Sequence, residues 1–272
     1  MKPQTIHCHT TLCDGRGTPA EMAAAALAAG CSAIGFSGHA PLPFPSDWCM
    51  EPDAVADYRR QVLALREAYQ GRMDVFLGLE QDYFSPDLPG PWDYRIGSLH
   101  CLERSGSYLS VDESPQALAR MAEEWFGGDY YALARAYYAL EADVVRRTGC
   151  QVVGHFDLVT KFNEEGVLFD EGDRRYRSAA LEALEALLDT GAVLEVNTGA
   201  MSRGYRTAPY PAAFLLRRIR ERGGSIVITS DSHSPSTLLY GYREASELAR
   251  ACGFTSSLYL TAQGFAEGPL PF

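Results

Sequence analysis

A parallel α/β barrel is the fold this sequence predicts, and three observations predict it. Seven short apolar runs recur along 272 residues, most separated by helical stretches long enough for crossover connections, which parallel strands require. Each run ends in a residue suited to metal or phosphate chemistry, and a closed barrel gathers its C-terminal strand ends on one face. No Pro/Gly/Ser-rich linker, composition shift or repeat divides the chain, so residues 1–272 are expected to form one domain.

The elements follow in order. Residues 3–9 read as the first strand, which breaks into the loop TTLCDGRG. Thr18-Pro19-Ala20-Glu21 forms a capping box with proline at N1, and the Ala-rich helix it opens stops at Gly30, a suitable C′ residue. SAIGFSG at 32–38 runs up to His39, and a helix over 53–70 precedes MDVFLGLE at 73–80. DYRIGSLH at 93–100 follows with no room for a helix, so one crossover is irregular. Helical segments at 115–126 and 129–148 lead into CQVVGH at 150–155, and a helix at 173–190 leads into AVLEVN at 192–197. A helix near 210–222 precedes SIVITSDSH at 225–233, and a last helix occupies about 236–251. The Pro- and Gly-containing loops 41–47 and 84–92 follow strand ends, where a barrel carries its functional loops. The tyrosine-rich run around 128–138 has helical spacing and reads as core or interface.

Composition narrows the partners. A formal charge of −11 disfavours nucleic acid and anionic membranes, so an anionic substrate needs a local positive site. Seven cysteines without a CxxC pair fit reduced thiols. The start MKPQTIHCHT has no signal-peptide pattern, and the alanine-rich run 22–36 is too short to span a bilayer. A cytoplasmic protein is expected, with no nucleic-acid or membrane partner; the sequence is compatible with a homo-oligomer.

All six histidines lie at strand ends. The first strand delivers His7 and His9, with Asp14 in its loop; the next four deliver His39, Glu80, His100 and His155. The sixth delivers Asn197, and the seventh Asp231 and His233. Residues two apart on a strand point to the same side, so His7 with His9, and Asp231 with His233, can share one face, while Cys8 points away. Imidazoles mixed with carboxylates suit zinc, iron or manganese, whereas magnesium and calcium prefer oxygen shells. Nine such ligands exceed one tetrahedral ion and suffice for two or three. Three divalent ions against three carboxylates leave about +3, which attracts an anion such as phosphate. Clustered metals activate water and brace the attacking and leaving oxygens of an in-line displacement.

IHCHT, SGH, GLE, RIGSLH, VGHFDL, EVNTG and TSDSH, in that order, resemble the PHP (polymerase and histidinol phosphatase) family. WDYRIGSLH, VGHFDLVTKF and LEVNTGA are most similar to its histidinol-phosphate phosphatase branch. The resemblance implies a distorted, TIM-like barrel of seven strands and a trinuclear metal site. It places His7, His9, Glu80 and Asp231 on one ion, and Asp14, His39 and His233 on a second. Glu80 bridges to a third held by His100 and His155. The implied reaction is hydrolysis of L-histidinol phosphate, a step of histidine biosynthesis. Thr5 and Gly38 stand where the family commonly has aspartates beside its ligands.

Other readings compete. A lone histidine is more often structural than a ligand; the set of six reverses that. Glu80 ends an apolar strand, where a charge must be paired, while Asp14-Gly15 is also an ordinary turn signal. Arg203, Arg206 and Lys161 are candidates for gripping phosphate or are solvated loop charges. Asn197 either bonds a ligand or caps its strand end. Asp157 orients a ligand or caps the following segment. Asp231 or His233 is the candidate proton relay to the leaving group. The alternatives to histidinol phosphate are a nucleotide or sugar phosphate, or a non-catalytic metal-stabilised module.

Overall fold

The computed structural model describes residues 2–272. In chain order the elements are β1 (Gln4–Thr5), α1 (Pro19–Ala28), β2 (Ala33–Phe36), α2 (Ala54–Tyr69), β3 (Asp74–Asp82) and β4 (Tyr94–Ser98). A hairpin of β5 (Cys101–Arg104) and β6 (Ser107–Ser110) follows, then α3 (Pro115–Phe126), α4 (Tyr130–Glu141), α5 (Val144–Thr148) and β7 (Val152–Val153). The chain continues through α6 (Arg174–Thr190), β8 (Val193–Asn197), α7 (Gly199–Ser202), α8 (Ala213–Glu221), β9 (Ile226–Thr229) and α9 (Tyr242–Ala251). It ends in a hairpin of β10 (Ser256–Thr261) and β11 (Gly264–Pro269).

Seven strands form one parallel sheet in the order β1-β2-β3-β4-β7-β8-β9. The stretch read as strand 3–9 pairs with β2 only at Gln4–Thr5. It then bends, and a parallel bridge joins Cys8 to Ser232 beyond β9. Ser232 N–H donates to His7 O at 3.0 Å and His9 N–H donates to Ser232 O at 2.8 Å. That bend closes the sheet into a barrel and carries both histidines to its C-terminal mouth.

The interior is filled from below. Ile6, Phe76, Tyr94, Ile96, Val152, Val193 and Val227 form a buried cluster together with Leu260 of the terminal hairpin. The Tyr94 hydroxyl donates to Ile6 O at 2.5 Å and Phe36 O at 3.1 Å, tying the first two strands to the fourth. Its ring takes space that only glycine leaves, since a Cβ at Gly78 would fall 2.2 Å from Tyr94 Cζ. Outside the barrel, α1 and α2 cover Ile34, Phe36, Leu77 and Leu79, with Cys8 in the same cluster. The remaining helices cover Leu194, Val196, Ile226 and Ile228. α1 starts at the expected capping box, with the Thr18 side chain on Glu21 N and Glu21 returning to Thr18.

Several expected boundaries differ. The helix expected over 129–148 is two, because the chain turns at Ala142–Asp143 and α5 packs beneath β4, burying Val144 and Thr148. The helix expected from 236 begins at Tyr242, after a 3-10 turn at Pro235–Thr237. Both hairpins were absent from the sequence expectation. No helix among the described residues is long and apolar enough to cross a membrane.

Candidate metal centre

The period-two alternation of a strand builds the site in rows. Along β3, Phe76 and Gly78 face the apolar interior, and Glu80 and Asp82 continue the row into the mouth. Along β4 and its end, Tyr94 and Ile96 are succeeded by Ser98 and His100. Ser98 Oγ donates to Glu80 Oε1 at 2.7 Å, and His100 Nδ1 lies 3.1 Å from Asp82 Oδ2. Asp231 follows β9 with φ of +46°, a left-handed conformation uncommon outside glycine and concentrated at functional sites.

Glu80 stands at the centre. Around its Oε2 lie His39 Nδ1 at 2.9 Å, His7 Nε2 at 3.2 Å and His9 Nε2 at 3.3 Å. Its Oε1 faces His155 Nε2 at 3.1 Å and His100 Nε2 at 3.5 Å. Asp231 Oδ1 sits 3.2 Å from His9 Nε2 and 3.6 Å from His7 Nε2. Asp14 Oδ2 is 3.0 Å from His233 Nε2. All nine residues expected as ligands therefore come together.

Three groups of ligand atoms converge to within 4.8 Å: His9, Asp14, His39 and His233; His7, His9 and Glu80; and His39, Glu80 and His100. The grouping differs from the assignment the resemblance implies. His9 also joins the Asp14 set, and His39 turns Nδ1 to Glu80.

Whether this donor set fits cations is testable on its unpaired atoms. His7 Nε2, His9 Nε2, His39 Nδ1, Asp14 Oδ1 and Glu80 Oε2 are buried without a hydrogen-bond partner. Buried polar atoms are rarely left so; four of these cluster at Glu80 Oε2 and the fifth, Asp14 Oδ1, faces His9 and His39, and such imidazoles and carboxylates match the donors zinc, iron and manganese take. The electrostatics agree. Burial opposes charge on His7, yet the carboxylates of Glu195, Glu80 and Asp231 hold its pKa well above the ordinary value. Burial works against His100 too, but the bond to Asp82 and the charge of Glu80 lift it to about 9. Burial would raise Glu80, and the neighbouring His39 and His7 hold it well below the carboxylate range. Burial, reinforced by His233 and His39, pushes His9 down to about 3.

A cavity of about 310 Å³ opens over the cluster. Trp48, from the loop after β2, forms one wall, its ring 4.7 Å from His39 and 5.0 Å from His100. Asp112, just after the β5–β6 hairpin, lines it as well. Of the four residues expected to bind substrate, Arg203 and Lys161 line this cavity. Arg203 Nη2 donates to Asp231 Oδ2 at 3.1 Å and Nη1 approaches His233 Nδ1 at 3.0 Å. Lys161 Nζ donates to Asp112 O at 2.8 Å and pairs with its carboxylate at 3.1 Å.

The other two do not reach the cavity. Arg206, beyond the short α7, is held by Thr160 O at 2.8 Å, Glu164 at 3.1 Å and Glu171 at 3.3 Å. Asn197 bridges Glu195 and Gly199 N at the strand end, at 2.9 and 2.8 Å. Asp157 opens the turn after it through its backbone, Thr160 N donating to its carbonyl at 2.9 Å, but its side chain bonds neither that turn nor an expected ligand and instead accepts from the distant Ala212 N at 2.8 Å.

Two supporting carboxylates went unread in the sequence. Glu195 lies 2.5 Å from His7 Nδ1 and also accepts from His155 N at 2.8 Å. Asp82 holds His100. Each shares strand parity with a residue already singled out, Asn197 or Glu80, and that parity is the signal that finds them. At the two family departures, Thr5 Oγ1 lies 3.3 Å from Ser230 Oγ, and the space beside Gly38 is taken by Cys13, Met50 and Tyr58.

A barrel mouth ringed by imidazoles and carboxylates defines the class, an α/β barrel with a candidate metal centre at its C-terminal strand ends. The PHP domain model matches residues 5–199, and the chain belongs to the PHP domain family. It is 34% identical over 258 residues to a Deinococcus radiodurans protein named "Probable histidinol-phosphatase", covering 91% of this chain and 92% of that one. It is 27% identical over 267 residues to the "Histidinol-phosphatase" of Bacillus subtilis, covering 89% and 97%. A crystal structure of histidinol phosphate phosphatase from Lactococcus lactis, complexed with zinc, L-histidinol and phosphate, superposes with a TM-score of 0.72 at 21% identity. That match covers 97% of this chain and 99% of the other.

Proposed function

We propose that this chain is a metal-dependent phosphomonoesterase that hydrolyses L-histidinol phosphate to L-histidinol and phosphate. The convergence of six imidazoles and three carboxylates, with unpaired buried ligand atoms, beneath an open cavity carries the reading. The two named relatives supply the substrate. Residues 1–272 act as one phosphoesterase unit, in the cytoplasm.

Two or three zinc, iron or manganese ions are held by His7, His9, Asp14, His39, Glu80, His100, His155, Asp231 and His233. Such ions, when bound, supply Lewis acidity toward phosphoryl oxygens and acidify water. The remaining work falls to the chain itself. Arg203, at the rim beside Asp231 and His233, presents a planar fork to a non-bridging phosphate oxygen. Lys161 contributes less charge, being paired with Asp112. As the oxygen of the attacking water bonds to phosphorus and the phosphorus–alkoxide bond breaks, Asp231 or His233 takes the proton the water gives up and relays it to the departing oxygen. Trp48 and Asp112 border the space left for the leaving group.

The test is phosphate release by purified protein of measured metal content, with histidinol phosphate set against nucleotides and sugar phosphates. Preference for histidinol phosphate is expected. Stoichiometric metal with no release from any of these esters refutes the reading, and preference for a nucleotide reassigns the substrate. His9→Ala or Glu80→Ala is expected to abolish turnover with the fold intact; unfolding alone points to a structural metal.

A further inference from the structure

Cys13 touches a candidate ligand yet has no part in the chemistry proposed above. Its Sγ lies 3.6 Å from His9 Nδ1. His9 is fully buried, and its Nε2 faces Glu80 and Asp231 without a hydrogen-bond partner. Nε2 is thus the nitrogen His9 turns to the His7–Glu80 set, and a cation held there leaves the proton on Nδ1. A ligating histidine ordinarily donates that second N–H to an acceptor that fixes the ring. Asp14 Oδ1 stands 3.5 Å from Nδ1, but it forms no hydrogen bond and also faces His39 Nε2, at 3.8 Å. The sulfur belongs to none of the converging ligand sets, so it acts on the cluster only through His9.

The surroundings hold the thiol in place. Thr10 O accepts from both Cys13 N, at 2.9 Å, and Gly15 N, at 3.0 Å, which folds the loop back on itself. A Cβ at Gly15 would fall 2.4 Å from Thr10 N, so the fold-back requires glycine. On the other side, a Cβ at Gly38 would meet Cys13 Sγ, Met50 Cε and Tyr58 Cε2, each at 3.5 Å. A longer side chain there would compete with the thiol for one space. Gly38 itself is anchored, its N–H donating to the Tyr58 hydroxyl at 3.3 Å while that hydroxyl donates to Gly78 O at 2.9 Å.

We propose that Cys13 is a positioning residue for the metal centre: its sulfur accepts the Nδ1–H of His9, fixing the ring and its tautomer in the space that Gly38 leaves open. The proposal rests on the metal-dependent reading. Its test compares the native chain with Cys13→Ala and Cys13→Ser, each zinc-loaded and dialysed against graded EDTA, with metal per chain measured by mass spectrometry. Thermal unfolding of the metal-free forms is followed in parallel. Cys13→Ala is expected to lose metal at roughly 10–100-fold lower chelator. Cys13→Ser, whose hydroxyl accepts the same N–H, is expected to stay near the native curve, with all metal-free forms unfolding alike.

Cys13→Ala indistinguishable from native overturns the proposal. So does equal metal loss by both variants with a matching drop in metal-free stability, which is a packing role. A native chain that holds no divalent metal overturns this inference and the phosphatase reading together. Native metal retention without histidinol-phosphate turnover overturns the substrate alone.

Discussion

His7 and Glu195 stand 2.5 Å apart with both side chains fully buried, an arrangement a carboxylate tolerates only when its charge is answered. Glu195 also accepts from Thr229 Oγ1 at 2.6 Å and Asn197 Nδ2 at 2.9 Å. Burial would raise its pKa, and the charge of His7 brings it below the ordinary value instead. Held this way, His7 keeps its proton on Nδ1 and turns Nε2 to the cluster. Glu195→Gln replaces one accepting oxygen with a donor and removes the charge. It is expected to weaken metal binding by about 10–100-fold while the barrel stays folded. Metal titration by calorimetry checks this, and an unchanged affinity would show that Glu195 serves only packing. Eight of the nine residues gathered at the mouth were legible because they stand at the ends of apolar runs, and Asp14 because it lies in the loop that follows the first. Glu195 and Asp82 were not, because a carboxylate inside a strand has meaning only once the inward parity of that strand is known.

Among elements, β3 and β4 show how sequence and packing constrain each other. Tyr94 spans the barrel to Ile6 and Phe36, and Gly35 and Gly78 yield it room. Gly78→Ala places a methyl group 2.2 Å from Tyr94 Cζ, inside a fully buried cluster. Overpacking of this kind costs about 1–3 kcal/mol, and chemical denaturation is expected to show a loss of that order. A neutral result would mean the ring can shift without breaking its two bonds. Apolar runs and helix signals located the seven strands and the helices between them. The β5–β6 hairpin was missed although Ser105-Gly106, both at positive φ, marks its turn between CLER and SYLS. The β10–β11 hairpin was missed because SSLYLT and its partner run antiparallel beyond the repeating pattern. Its role under the barrel appears only when Leu260 is seen among Ile6, Val193 and Val227.

Across the whole molecule, a chain of formal charge −11 concentrates carboxylates at the barrel mouth and balances them with histidines. Protons and divalent cations therefore compete for the same nitrogens. The carboxylates raise the pKa of His39, lift that of His7 well above the ordinary value and bring that of His100 to about 9, so His7 and His100 carry protons near neutrality when no cation is present. Metal uptake must displace those protons. The sign follows: affinity rises as pH climbs toward about 9 and falls as the medium becomes acidic. Calorimetry in buffers of different ionisation enthalpy is expected to show proton release at pH 7 and tighter binding at pH 8.5 than at pH 6. Uptake without proton release would contradict this electrostatic picture.

The sequence by itself determined the parallel α/β barrel and the identity and order of the residues at its strand ends. Both depend on local rules, the period of two along a strand and the signals that start and stop helices. Only the tertiary structure decided that Arg203 and Lys161 reach the cavity while Arg206 and Asn197 do not, which nitrogen of each histidine faces the cluster, and how residues 7–9 pair with Ser232 to close the barrel. Those outcomes depend on contacts between residues far apart in the chain, and no periodicity within a single segment encodes them.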